Sequence, residues 1–230
     1  MYLNNYNIKE KILIGNEFIS TNEVRPVINP FTNKTVGEVY IAGEAEFNAS
    51  AEYLTSIAKE YASLPTYKKQ ELLYTISARV KAQKNELAKL ITDETGKPIK
   101  FSMIEVDRAV FTFRLGAEEC SRIYGEVLPL DLLPGSENKT GIVQRFPIGL
   151  ILGITPWNFP VNLAAHKISP ALASGNVIMI KPSSSSMLTA IALGRIVVDA
   201  CKELGITSIP LNILPISGSK MGKHISDSRI

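Results

Sequence analysis

Ile148-Gly149-Leu150-Ile151-Leu152-Gly153-Ile154, running straight into Thr155-Pro156-Trp157-Asn158-Phe159-Pro160, is the stretch on which the fold turns. Its first seven residues carry no charge and are apolar at even and odd positions alike. A strand with one wet face alternates, so this pattern describes a strand covered by helices on each side. Downstream the motif repeats. Helical spacing over 161–174 gives way to a second buried strand, Asn176-Val177-Ile178-Met179-Ile180. Helical spacing returns over 187–204, followed by a short strand, Leu211-Asn212-Ile213-Leu214, and a last helix from about Ser219. Strands separated by that much helix pair in parallel through right-handed crossovers. The series predicts an α/β fold built on a doubly wound parallel sheet, and such sheets bind nucleotides and substrates at the carboxyl ends of their strands.

Upstream, residues 11–42 read as extended chain: Lys11-Ile12-Leu13-Ile14, a turn at Gly15-Asn16, Glu17-Phe18-Ile19, and Thr35-Val36-Gly37-Glu38-Val39 after a turn cluster at 29–33. These strands are expected to form an edge hairpin layer. Helical periodicity covers 44–62 and, after Pro65, 66–95, with Leu73, Ile76, Val80, Leu87 and Ile91 on one face. Gly96 and Pro98 supply the stop. A third helix spans 99–123. Two strands, 124–130 and 139–145, then flank a Pro134-Gly135-Ser136 loop. That hairpin has little nearby to pack against, so its edge calls for another subunit or a further part of the chain as cover.

Composition narrows the function classes. At 45% hydrophobic and 20% charged residues the 230-residue chain is globular, and its apolar runs are strand-sized, too short for a membrane span. The opening Met1-Tyr2-Leu3-Asn4-Asn5-Tyr6-Asn7 lacks the basic and apolar regions of a signal peptide, which makes the cytoplasm the expected location. A net charge of +3 arises from intermixed charges rather than a basic block, which argues against nucleic acid. Cys120 and Cys201 lie in helical patterns without Cys or His neighbours, and only His166 and His224 are present, so no metal site is expected.

Three places can carry chemistry. Asn158 lies just past the first parallel strand, between Pro156-Trp157 and Phe159-Pro160, and prolines stiffen such a loop. Held in one orientation, its amide N–H is an oxyanion donor, a role worth about 3–4 kcal/mol to a tetrahedral transition state. A second reading stays open at this point, with Asn158 merely capping the following helix. Lys181 ends the second strand beside Pro182, Ser183 and Ser184, where a cation and hydroxyls suit the ribose or 2'-phosphate of a dinucleotide; a solvated loop lysine is the alternative. Ser217-Gly218-Ser219-Lys220-Met221-Gly222 opens the last helix, a weak phosphate-loop signal without Walker or Rossmann spacing.

Five segments stand together in the order and spacing of a known family: Asp93-Glu94-Thr95-Gly96-Lys97-Pro98, Arg145-Phe146-Pro147-Ile148-Gly149, Thr155-Pro156-Trp157-Asn158-Phe159-Pro160, Ala171-Leu172-Ala173-Ser174-Gly175-Asn176 and Lys181-Pro182-Ser183. On these the chain resembles the aldehyde dehydrogenase superfamily, and within it members acting on lactaldehyde or, without phosphorylation, on glyceraldehyde 3-phosphate. The resemblance implies oxidation of a small-molecule aldehyde to a carboxylic acid with NAD or NADP as cofactor, by a homodimer or homotetramer. It assigns Asn158 to the oxyanion and Ile154, Thr155, Pro156, Trp157, Lys181, Ser183, Ser184 and Gly218 to the cofactor. Phe159 and Arg108 fall to the aldehyde tunnel, where an arginine can pair with a phosphate or carboxylate. Serine at 184, where strongly NAD-preferring members often hold glutamate, leaves no charge to repel a 2'-phosphate.

The same resemblance divides the chain into hairpins and helices of the cofactor domain (1–123), an oligomerisation hairpin (124–145) and a Rossmann-like core (146–230). The family's nucleophilic cysteine and general-base glutamate are expected beyond residue 230, since neither Cys120 nor Cys201 has a matching context. The chain alone is therefore expected to be inactive. A non-catalytic dinucleotide-binding or assembly module is the alternative from another class.

Overall fold

Three parallel strands, β8 (Leu150–Ile154), β9 (Val177–Lys181) and β10 (Leu211–Ile213), sit side by side in that order. They are joined by α5 (Pro160–Ala173) and α6 (Met187–Glu203), and a short α7 (Gly218–Gly222) follows β10. The computed structural model describes residues 9–230, so the Met1–Asn7 stretch lies outside the described residues. Alternation along β10 shows how the layers divide. Ile213 packs so close under Gly194 of α6 that an added Cβ there would meet it at 2.8 Å, whereas the neighbouring Asn212 donates from Nδ2 to Ser50 Oγ of α1 (Glu44–Ala62) at 2.8 Å. Successive side chains point to opposite faces of a strand, so α6 covers one face and α1 the other.

The expected edge hairpin is present as β2 (Ile12–Ile14) and β3 (Glu17–Ile19), but it is no separate layer. β2 pairs antiparallel with β10 and extends the main sheet to the order β3-β2-β10-β9-β8. Asn212 Oδ1 accepts the Gly15 N–H at 2.9 Å and so fixes the hairpin turn to the sheet. A second sheet holds β1 (Lys9–Glu10), β4 (Glu23–Ile28) and β5 (Thr35–Ile41) in the order β1-β5-β4. Pro26 is tolerated within β4 because that strand is an edge.

One expectation needs correction. The helix read over 66–95 is two, α2 (Thr66–Ala82) and α3 (Lys84–Thr95), parted at Gln83 where ψ moves to 19°. β8 has helices α1 and α5 against it, as expected, but it is also the edge of the sheet: Ile151 and Leu152 are half-buried and Ile154 is 46% exposed. The third helix, α4 (Ile99–Glu119), tightens into a 3-10 turn at Cys120–Arg122. The hairpin of β6 (Glu126–Pro129) and β7 (Thr140–Val143) pairs with itself alone among the described strands, with Val127, Leu132, Leu133 and Ile142 exposed.

Candidate active site

Parallel pairing brings the ends of β8 and β9 together. Ile154 lies opposite Lys181 in the register, and the Thr155 N–H donates to the Lys181 carbonyl at 3.1 Å. Leu214, just past β10, donates to the Ile180 carbonyl at 2.8 Å, so all three strands finish on one edge. Asn158, Lys181 and the segment leading to Gly218 therefore open from the same side of the sheet. Asn176 sets the entry to β8 by accepting from the Ile148 and Gly149 amides at 2.7 and 3.0 Å.

Beyond β8, Thr155 is buried while Pro156, Trp157 and Asn158 are exposed. The capping alternative for Asn158 is not what the fold uses. Phe159 is the N-cap of α5 and makes no side-chain cap; the Val161 and Asn162 amides of the first turn donate instead to Glu105 Oε1 of α4, at 2.9 and 3.2 Å. A fully buried carboxylate at a helix N-terminus meets both the orphan amides and the helix dipole. The other Glu105 oxygen accepts from Lys97 Nζ, whose second donor reaches the Asn158 carbonyl at 2.5 Å. The same ammonium stands 4.1 Å from the centre of the Phe159 ring. The Asn158 side chain makes no hydrogen bond to any described residue.

A parallel device holds α6. Glu94 accepts from the Leu188 and Thr189 amides at 2.7 and 2.9 Å and from the Thr189 hydroxyl at 2.5 Å. Burial pushes the Glu94 carboxyl above the ordinary carboxylate range, against the pull of these hydrogen bonds. The first turns of α5 and α6, where dinucleotide folds often seat phosphates, are thus both filled by side chains of the helical layer.

Lys181 is half-buried and forms no ion pair among the described residues, and burial holds its ammonium below the ordinary lysine range. It is not the solvated loop lysine of the alternative reading. Ser183 is half-buried, its hydroxyl accepting from the Ser185 amide at 3.3 Å; Ser184 is exposed. Gly218 begins α7 after the Ser217 cap, in open space. Arg108 is exposed on α4, one turn beyond Glu105 and one before Thr112, whose hydroxyl meets Asn162 Oδ1 at 3.2 Å. Arg108 forms no ion pair with Glu105 one turn away, because Lys97 takes that carboxylate. A cavity of about 320 Å³ adjoins the open edge of β8, bounded by Ile151, Leu152 and Gly153 and by Lys167 and Pro170 of α5.

Lys97, Glu105 and Glu94 organise the site without a signature in local sequence. Lys97 and Glu94 lay inside a quoted motif, but nothing in spacing tells that Lys97 meets a carbonyl 61 residues away. Burial lifts the thiol of Cys120 to about 11 and that of Cys201 to about 12. Neither is an activated nucleophile. Among the described residues no cluster of His, Cys, Asp or Glu could hold a metal ion, and no helix is long and apolar enough to cross a membrane.

Parallel strands ending together put Lys181, Ser183, Ser184 and Asn158 on the edge where open α/β sheets bind their ligands. Comparison with known proteins gives the family: residues 18–229 match the Aldehyde dehydrogenase family, and the chain belongs to it. It is 34% identical over 199 residues to a lactaldehyde dehydrogenase of Methanocaldococcus jannaschii, covering 86% of this chain and 42% of that protein. Among solved structures, aldehyde dehydrogenase 21 from Physcomitrella patens, in complex with succinate, superposes with a TM-score of 0.92 at 33% identity, over 97% of this chain and 46% of that one. An NADP-dependent glyceraldehyde-3-phosphate dehydrogenase from Bacillus halodurans, complexed with NADP, gives 0.89 at 30% identity, over 95% and 46%. The chain spans less than half the length of these relatives.

Proposed function

We propose that the chain supplies the cofactor-binding side of an NAD(P)-dependent oxidation of a small aldehyde to a carboxylic acid. The observation that carries this reading is the division of labour at the end of β8. Glu105 caps α5, so the Asn158 amide is left out of the fold's own hydrogen bonding, on the same strand-end edge as an unpaired Lys181. An unspent donor and an unspent cation on the edge where α/β sheets bind ligands have a use in ligand chemistry.

The residues present suit a nicotinamide dinucleotide. Lys181 would hold the adenosine ribose or a 2'-phosphate, with Ser183 and Ser184 beside it and Gly218 on the adenine side. Residues Ile154, Thr155, Pro156 and Trp157 would line the rest. With Glu94 and Glu105 on the first turns of α6 and α5, the pyrophosphate would not sit on those amides. Ser184 adds no negative charge, which makes NADP acceptable. When bound, the cofactor takes up the hydride that the aldehyde carbon gives up as water supplies the acid's second oxygen. Asn158 would donate to the developing oxyanion, and Arg108 would pair with an anionic group on the aldehyde. Phe159, half-buried beneath Lys97, would wall the tunnel.

The nucleophile is neither described cysteine, since both are buried thiols, and we assign it with the general base to a part of the whole protein other than these residues. The same reading puts the working enzyme in the cytoplasm as a homodimer or homotetramer, with the exposed β6–β7 hairpin as surface another subunit covers. Titration of the 230-residue chain with NADP and NAD, followed through its single tryptophan, Trp157, tests the cofactor assignment. Saturable binding of NADP no weaker than NAD is expected; no saturation by either at about 1 mM contradicts it.

A further inference from the structure

The prolines around Asn158 fix backbone angles inside the loop, but they do not fix where the loop stands relative to the sheet. That task falls to a side chain from the helical layer. Lys97 is mounted rigidly. Gly96 before it has φ 73°, and an added Cβ would meet Pro30 Cγ at 2.8 Å, so glycine is needed there; Pro98 after it restricts its own backbone. From this mount the ammonium reaches Glu105, the Asn158 carbonyl at 2.5 Å and the Phe159 ring at 4.1 Å. Glu105 in turn holds the Val161 and Asn162 amides. Four of the five positions from 158 to 162, all but Pro160, are thereby tied through backbone or ring to one ion pair whose lysine is 15% exposed and whose carboxylate is fully buried.

We propose that this Lys97–Glu105 pair is the clamp that sets the position of the Asn158 loop, which makes Lys97 a positioning residue for the Asn158 amide. The inference rests on the oxyanion role given to Asn158 above. Lys97 touches neither cofactor nor aldehyde in this scheme; it acts through the carbonyl of the residue whose amide does. Without the cation, the Asn158 carbonyl loses a charge-assisted donor, Phe159 loses its cation and Glu105 is left buried without its counter-charge. The loop then samples open positions about tenfold more often, the effect of one hydrogen bond to a charged group.

Trp157, the only tryptophan and the residue next to Asn158, gives a single indole cross-peak in a ¹H–¹⁵N spectrum of the chain. Lys97→Met is expected to shift and broaden it while the far-UV circular dichroism stays that of the parent. Lys97→Arg, which keeps the charge, is expected to return it toward the original position, and exposed Lys100→Met to leave it in place. Where Lys97→Met does not fold, Lys97→Gln makes the same comparison. A folded Lys97 variant with an unmoved, sharp indole peak overturns the clamp. In aldehyde oxidation by the whole protein, Lys97→Met is expected to lower kcat about tenfold with KM for NADP unchanged; an unchanged kcat overturns the positioning role. Failure of NADP to bind would sink the functional reading and leave the indole result standing, because that signal reads the loop without ligand.

Discussion

Replacing Lys181 by Met separates the work of the site from the work of the fold. Among the described residues the amine has no ion-pair partner, so no internal interaction is broken, and methionine keeps most of the stem that packs at the end of β9. Burial already disfavours the ammonium, which means that the chain bears a desolvation cost without an internal return. Unfolding stability is therefore expected to stay within about 0.5 kcal/mol of the parent, or to rise slightly. Cofactor binding moves the other way. A hydrogen bond from a charged group is worth about 1.5–3 kcal/mol, so losing the ribose contact weakens binding by roughly 10- to 150-fold. The assays are urea unfolding and calorimetric titration with NADP on the same preparations. Equal affinity in the two proteins refutes the assignment of Lys181, and a parallel loss of stability and affinity makes the residue structural.

Asn158→Ala is expected to lower aldehyde turnover by the whole protein about a hundredfold while the cofactor dissociation constant holds; an equal loss in cofactor binding points to a scaffold role. Glu94→Ala removes three acceptor contacts from the start of α6 and should cost about 2–4 kcal/mol in urea unfolding, with Glu94→Gln milder; a loss under about 0.5 kcal/mol contradicts the capping account. Cys201, lifted by burial from 9.0 to about 12, ionises in the unfolded chain first. Its contribution to stability is present in full below pH 9.0 and is lost as pH rises toward about 12. Cys201→Ala should flatten that alkaline fall in urea midpoint, and an identical slope in parent and variant speaks against it.

The strand–helix series of residues 148–214 was legible because burial on both faces and helical periodicity leave different patterns, and the ends of β9 and β10 fell within a residue of expectation. The break at Gln83 was not, since Ala82-Gln83-Lys84 are ordinary helix formers with no glycine or proline to announce a stop. The openness of β8 was hidden for a different reason. Composition reports what a strand can bury, while which strand lies at the edge is set by pairing. At the site, the sequence offered Asn158 and Lys181 as strand-end residues but could not choose between a cap and a donor. The choice is made by Glu105, whose partners lie 56 and 57 residues away and leave no local trace.

Mapping NADP-induced shifts in the backbone amides of the chain tests the central claim most directly. If the carboxyl edge of β8, β9 and β10 holds the cofactor, the largest changes gather at Ile154, Thr155, Trp157, Lys181, Ser183, Ser184 and Gly218. Changes confined to the amino ends of those strands or to the β6–β7 hairpin would contradict it.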